Sequence, residues 1–160
     1  MGYESLDDLL GIAEIATVFI GFAVLISVLS PKTTNQHIVL GIVIGASMVL
    51  VACLIPILLR TLSVDTLQVL RYSSVLFAIA NLSATIAMFR LIPDFADAQK
   101  ERPAYSVWAL KAVMYILLTL CALGYWDGYT TMFYFGAVIA LLFQIIGMFI
   151  SLTINLSREP

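Results

Sequence analysis

Charge is scarce in this 160-residue chain: 11% of residues are Asp, Glu, Lys or Arg, where a soluble domain carries roughly 25%. Histidine and cysteine are scarcer still, with one of the first (His37) and two of the second (Cys53 and Cys121). Such a set cannot furnish a haem pair, an iron-sulfur site or a structural zinc site from one chain, so neither a metal nor a cofactor is expected. Both cysteines fall in the middle of apolar runs and read as small hydrophobes rather than a disulfide. The 8 Lys and Arg against 10 Asp and Glu leave a net charge of -2, and no basic block tracks phosphates, which argues against a nucleic-acid partner. Nucleophile-and-base signatures such as GxSxG and HExxH are missing as well, and no enzyme activity is expected. The opening stretch, Met1 to Asp8, is acidic and lacks the positive n-region of a signal peptide, so the first apolar segment is expected to remain as an anchor.

What the chain does have is apolar surface. Hydrophobic residues make up 62% of it and the mean hydropathy is +1.05. No Asp, Glu, Lys or Arg occurs from Thr33 to Leu59 or from Tyr129 to Ser157. A soluble fold of this size could not bury so much, so much of the surface must face lipid. Five apolar segments, near residues 9 to 29, 38 to 59, 72 to 92, 107 to 124 and 131 to 154, approach the ~20 residues that cross the hydrocarbon core as a helix. They lack the alternation of barrel strands. The expected fold is an all-α polytopic membrane helix bundle in a single domain. It has five transmembrane helices, near 6–29, 36–59, 66–92, 104–124 and 130–156, or four if the first lies in the interface.

Helix punctuation supports these bounds. Ser5-Leu6-Asp7-Asp8 matches a capping box, with acids suited to the positive end of the helix dipole, and Ser30-Pro31 stops the segment. Asp65 with Gln68 can cap helix 3. Pro103 suits the first turn of helix 4 and Gly124 its exit. Pro56 is expected to kink or shorten helix 2, and its neighbours must satisfy the carbonyl that it frees.

Five crossings place the termini on opposite sides of the bilayer. The side of the N-terminus holds Arg60 and Arg71, and the other holds Lys32, Arg90, Lys100, Arg102, Lys111 and Arg158. By the positive-inside rule the N-terminus is outside and the C-terminus cytoplasmic, in a plasma (inner) membrane. Tyr125, Trp126 and Tyr129 mark the outer boundary, Tyr105 and Trp108 the inner one. The outer side is also the acidic one: Glu4, Asp7, Asp8, Glu14, Asp65 and Asp127 face only two arginines, an arrangement that concentrates cations.

Glu14 is the most informative residue, because a charged side chain within a membrane segment costs roughly 2.5 to 3.5 kcal/mol on insertion scales and is paired or functional. With helix 1 starting near Leu6, a rise of about 1.5 Å per residue places it about 12 Å along the helix. Asp7, Gly11, Glu14, Thr17 and Gly21 share one face, a small and polar stripe that suits protein or water better than lipid. Glu14 therefore reads either as a cation or proton site or as a structural ion pair with Arg60 or Arg71. Ala13-Glu14-Ile15 resembles the Ala-Glu-aliphatic signature of small multidrug resistance transporters, which implies proton exchange at that glutamate. The resemblance ends with those three residues: that family has four helices, and its later Trp-containing and Gly-rich motifs have no counterpart here.

Two further polar faces recur at helical spacing. Helix 3 carries Arg71, Ser74, Ala78, Asn81, Thr85 and Met88, with Asn81 near the bilayer middle. Helix 5 carries Gly136, Ala140, Gln144, Gly147, Ser151 and Asn155, and helix 2 adds Gly41 and Gly45 as a GxxxG. Small residues let backbones approach and Gln144 can bond across a contact, so these faces pack the bundle or join copies of it. Lys111, Arg90 and His37 lie near inner helix ends, where long cations snorkel to headgroups. The expectation is a small homo-oligomeric membrane protein that passes cations or protons, with Glu14, Asn81 and Gln144 along the polar route. The alternative is an accessory subunit that packs against unlike membrane chains, with the polar stretch from Pro93 to Tyr105 as its docking element.

Overall fold

The computed structural model describes residues 3–29, 33–62, 65–91, 105–124 and 127–157. These form five helices: α1 (Tyr3–Leu29), α2 (Thr33–Thr61), α3 (Thr66–Leu91), α4 (Tyr105–Leu123) and α5 (Thr130–Ser157). A single 3-10 turn, Asp127–Tyr129, leads into α5. Asp7–Val28, Ile38–Thr61, Gln68–Ala87 and Thr130–Ile154 are long and apolar enough to cross a membrane, while α4 contributes a shorter apolar stretch, Trp108–Leu123. At 1.5 Å per residue its 19 residues reach about 28 Å, close to the thickness of a hydrocarbon core.

The helix ends follow local chemistry, with one departure from expectation at the start of α1. α1 begins at Tyr3 rather than near Leu6, which puts Ser5 inside the helix and not at its cap. Glu4, Asp7 and Asp8 all favour helix at an N-terminus through the dipole, so the first turn extends past the serine. α2 neither ends nor shortens at Pro56 but runs on to Thr61. At the start of α3, Val69 N–H donates to the Asp65 carbonyl at 2.9 Å, the first helical bond, which makes Asp65 the capping residue. Ser30-Pro31, Pro103 and the stretch between α3 and α4 lie outside the described residues.

Four helices form a closed ring in which α2 packs on α3, α3 on α4, α4 on α5 and α5 back on α2. α1 sits outside the ring and packs mainly against α2. Its buried edge is Leu9, Ala13, Ala16 and Ala23, at helical spacing, and alanines there let the two backbones approach closely. The ring is filled by Ile42, Ala46 and Val49 of α2, Phe77 of α3, Met114 and Leu118 of α4, and Tyr134, Leu141 and Ile145 of α5. Gly45 lies so near α5 that a Cβ there would stand 3.0 Å from Ile145 Cγ1, and one on Gly136 would stand 3.1 Å from Leu117 Cδ1.

The outer surface is the inverse of a soluble protein's. Val28, Ile79, Ile116, Phe143 and Ile150 are exposed while Ser73, Ser74, Asn81 and Thr130 are buried. Soluble monomers rarely expose apolar patches beyond a few hundred Å². A surface of this kind is compatible with a small membrane protein whose helices meet lipid.

Candidate functional site

The antiparallel helix pairs determine which polar residues can meet. In a helical hairpin, residues equally far from the connection stand at the same height, and α3 and α4 obey this in step. Near one end Lys111 Nζ donates to Thr85 Oγ1 at 3.1 Å, and a turn deeper Tyr115 Oη donates to Asn81 Oδ1 at 3.0 Å. The Thr85 hydroxyl in turn donates to the Asn81 carbonyl at 2.9 Å, so four residues form one connected seam. Asn81 is only 4% exposed; its backbone carbonyl accepts from Thr85 and its side-chain amide oxygen Oδ1 accepts from the α4 tyrosine. Lys111 also lies over the Trp108 ring, 5.6 Å from its centroid, a cation–π contact. The lysine expected simply to snorkel is thus held in place on two sides.

At the opposite end of the same pair, Arg71 meets the exit of α4. Gly124 has φ +66°, the left-handed conformation that favours glycine at a helix C-terminus, and its N–H donates to the Cys121 carbonyl at 3.2 Å. A Cβ on Gly124 would fall on the Arg71 guanidinium. The arginine therefore lies against the negative end of the α4 dipole, where a cation is favoured. Cys121, free and buried, has its Sγ within 3.7 Å of the Leu70 carbonyl and 3.6 Å of the Thr130 carbonyl, which links the starts of α3 and α5.

A third contact answers the question that Pro56 poses. Without an N–H, the proline leaves the carbonyl four residues earlier, that of Ala52, without its helical donor. Tyr134 Oη of α5 donates to that oxygen at 2.5 Å. Tyr134 is fully buried and its ring meets Phe77 edge-on at 6.4 Å, so the donor is fixed by packing. Sequence reading identified the need but not the residue. An antiparallel α2–α5 pair, with Tyr134 in the second turn of α5 and Ala52 in the last third of α2, supplies the match.

Glu14 has none of these arrangements. It is exposed on the outward side of α1, opposite the edge buried on α2, and it makes no hydrogen bond or ion pair with a described residue. The structure does not bring it to Arg60, which is half-buried in the last turn of α2, or to Arg71. Asp7, Thr17 and Gly21 are exposed on the same side and Gly11 is half-exposed. Nothing lies within 4 Å of a Cβ built on Gly11 or Gly21. The Thr17 hydroxyl turns back to the Ala13 carbonyl at 2.9 Å.

Gln144 stands near the same height as Glu14. α1 and α5 run in the same direction through the up-and-down bundle, and Phe19 meets Phe149 edge-on at 5.6 Å. Glu14 and Gln144 each precede those rings by five residues. Gln144 is half-buried, whereas Asn81 is sealed in the α3–α4 seam, so the three do not converge within one chain. Of the small residues, Gly41 and Ala140 are buried, Gly45 and Gly136 serve contacts inside the ring, and Gly147 and Ser151 are exposed. The side chains of His37, Met88 and Asn155 lie outside the described residues. Among the described residues, no group of three or more His, Cys, Asp or Glu is placed to hold a metal ion.

Comparison with protein-family models, with curated proteins and with solved structures finds no match to this chain. The class rests on its own architecture: an all-α bundle with four helices long and apolar enough to span a membrane.

Proposed function

We propose that the chain is a subunit of a homo-oligomer that passes cations or protons across a membrane, with Glu14 on the polar route. The observation that supports this is the placement of Glu14 within the apolar stretch Asp7–Val28, exposed on the outward face of the peripheral helix. Against hydrocarbon a charged side chain at the centre of a helix costs roughly 2.5 to 3.5 kcal/mol, and water or a polar partner removes that cost. Open space beside Gly11 and Gly21 leaves room for a second helix backbone on either side of the carboxylate. Gln144 is the second polar group of the route, near the same depth. Asn81 contributes to it only through the seam that holds α3 against α4.

The excess of Lys and Arg on the side of the C-terminus orients the subunit with the N-terminus outside, in a plasma membrane, and the acidic outer side draws cations toward the opening. The function on this reading is passage, not catalysis. Purified protein in liposomes carrying a pH or cation indicator tests it. Glu14→Gln is expected to abolish flux while folding and assembly persist, and unchanged flux would remove Glu14 from the mechanism.

A further inference from the structure

The α3–α4 seam has a polar end whose chemistry the proposed route does not use. We infer that Lys111 binds the phosphate of an anionic phospholipid, with an acyl chain of that lipid lying along α4. Lys111 is the sixth residue after the start of α4, so it stands about 9 Å inside the helix end, and Trp108 stands about 4.5 Å inside it. That is the depth of a headgroup and its aromatic belt.

The ammonium carries three donors. One goes to Thr85, and the Trp108 ring covers a flank at 5.6 Å. Among the described residues no carboxylate pairs with Lys111, and the ammonium has donors beyond the one given to Thr85. Phosphate accepts from an ammonium as a point charge, and Thr85 and Trp108 hold that charge in one position instead of letting it sweep the surface.

The second half of the site is apolar. A surface groove of about 260 Å³, lined by Tyr115, Ile116, Thr119 and Leu120, begins one helical turn beyond Lys111 and runs toward the membrane interior. Tyr115 joins the two halves, because its ring lines the groove while its hydroxyl is tied to Asn81. A cation at headgroup depth followed by a groove of nearly all apolar surface matches a ligand with a charged head and a hydrocarbon tail. Free phosphate would use only the first half. The inference does not depend on Glu14, which lies on another helix and nearer the other side.

Trp108 provides a reporter. The chain has two tryptophans, and Trp126→Phe leaves Trp108 alone. This variant is reconstituted in phosphatidylcholine vesicles that contain a minor fraction of brominated phosphatidylglycerol or, in parallel, brominated phosphatidylcholine. The brominated anionic lipid is expected to be enriched around Trp108 by about fivefold over the zwitterionic one, the factor that one lysine contributes near an anionic headgroup. Lys111→Gln in the same background should bring the two lipids to equal quenching, and Lys111→Arg should retain the preference. Excess inorganic phosphate should leave the quenching unchanged. Equal quenching without any change at Lys111, a preference that survives Lys111→Gln, or displacement by inorganic phosphate alone would each overturn the assignment. Circular dichroism on the same samples checks that Lys111→Gln remains helical, and native mass spectrometry with retained phosphatidylglycerol gives a second readout that needs no fluorescence.

Discussion

The α3–α4 seam and the outward face of α1 meet the same difficulty, polar side chains in an apolar chain, and resolve it differently. In the seam the polar side chains pair with the neighbouring helix: Thr85 accepts from Lys111 and Asn81 from Tyr115. On α1, Thr17 folds back on its own helix and Glu14 projects outward with no described partner. Groups satisfied within a chain cement its fold, while a carboxylate exposed on an apolar helix contributes little to it. On the function proposed above, the ring carries stability and the peripheral helix carries assembly and passage.

That contrast can be broken most severely at Tyr134. Tyr134→Phe leaves the Ala52 carbonyl buried without a donor, which should reduce unfolding free energy in detergent by about 1–3 kcal/mol. Adding Pro56→Ala returns a helical N–H to that carbonyl, so the loss due to Tyr134→Phe should shrink in this background. An equal loss with and without the proline would refute the link between them. Next in size is Gly124→Ala, which forces a Cβ into a left-handed residue at about 1–2 kcal/mol and displaces the Arg71 guanidinium. The same substitution at Gly11 or Gly21, where nothing lies nearby, should not lower the thermal midpoint, and similar losses at all three sites would contradict the geometry. Smaller again is Tyr115→Phe, which removes one interhelical bond and should reduce stability by about 0.6 kcal/mol, the average for such bonds in membranes. Smallest for folding is Glu14→Gln, expected within about 0.5 kcal/mol of the parent because the side chain is exposed. A destabilisation of several kcal/mol there would point to a structural ion pair after all.

Much of this is legible in the sequence alone. Apolar runs of spanning length define the helices, Gly124 reads as an exit, and Pro56 announces a carbonyl in need of a donor. What the sequence could not show is rotation and height. Glu14 and its stripe were recognisable as one face, yet only packing decides that alanines at 13, 16 and 23 turn inward on α2 and send that face outward. Lys111 read as a snorkelling cation because its partner Thr85 is 26 residues away on another helix, although both stand equally far from the α3–α4 connection. Arg71 read as a mate for Glu14 by shared side of the membrane, but its nearest opportunity was the C-terminus of α4. Gly45 and Gly136 fit equally well between copies or within one, and only the distances to Ile145 and Leu117 place them inside the ring.

On the proposed function, the outward face of α1 is covered by further copies of this chain. Native mass spectrometry of the protein extracted with its own lipids tests that directly. A single closed homo-oligomer is the predicted result, dissociated by Gly21→Leu, which fills open space on the Glu14 face of α1 without touching the ring. A monomer, or a complex with unlike chains in fixed ratio, would contradict it.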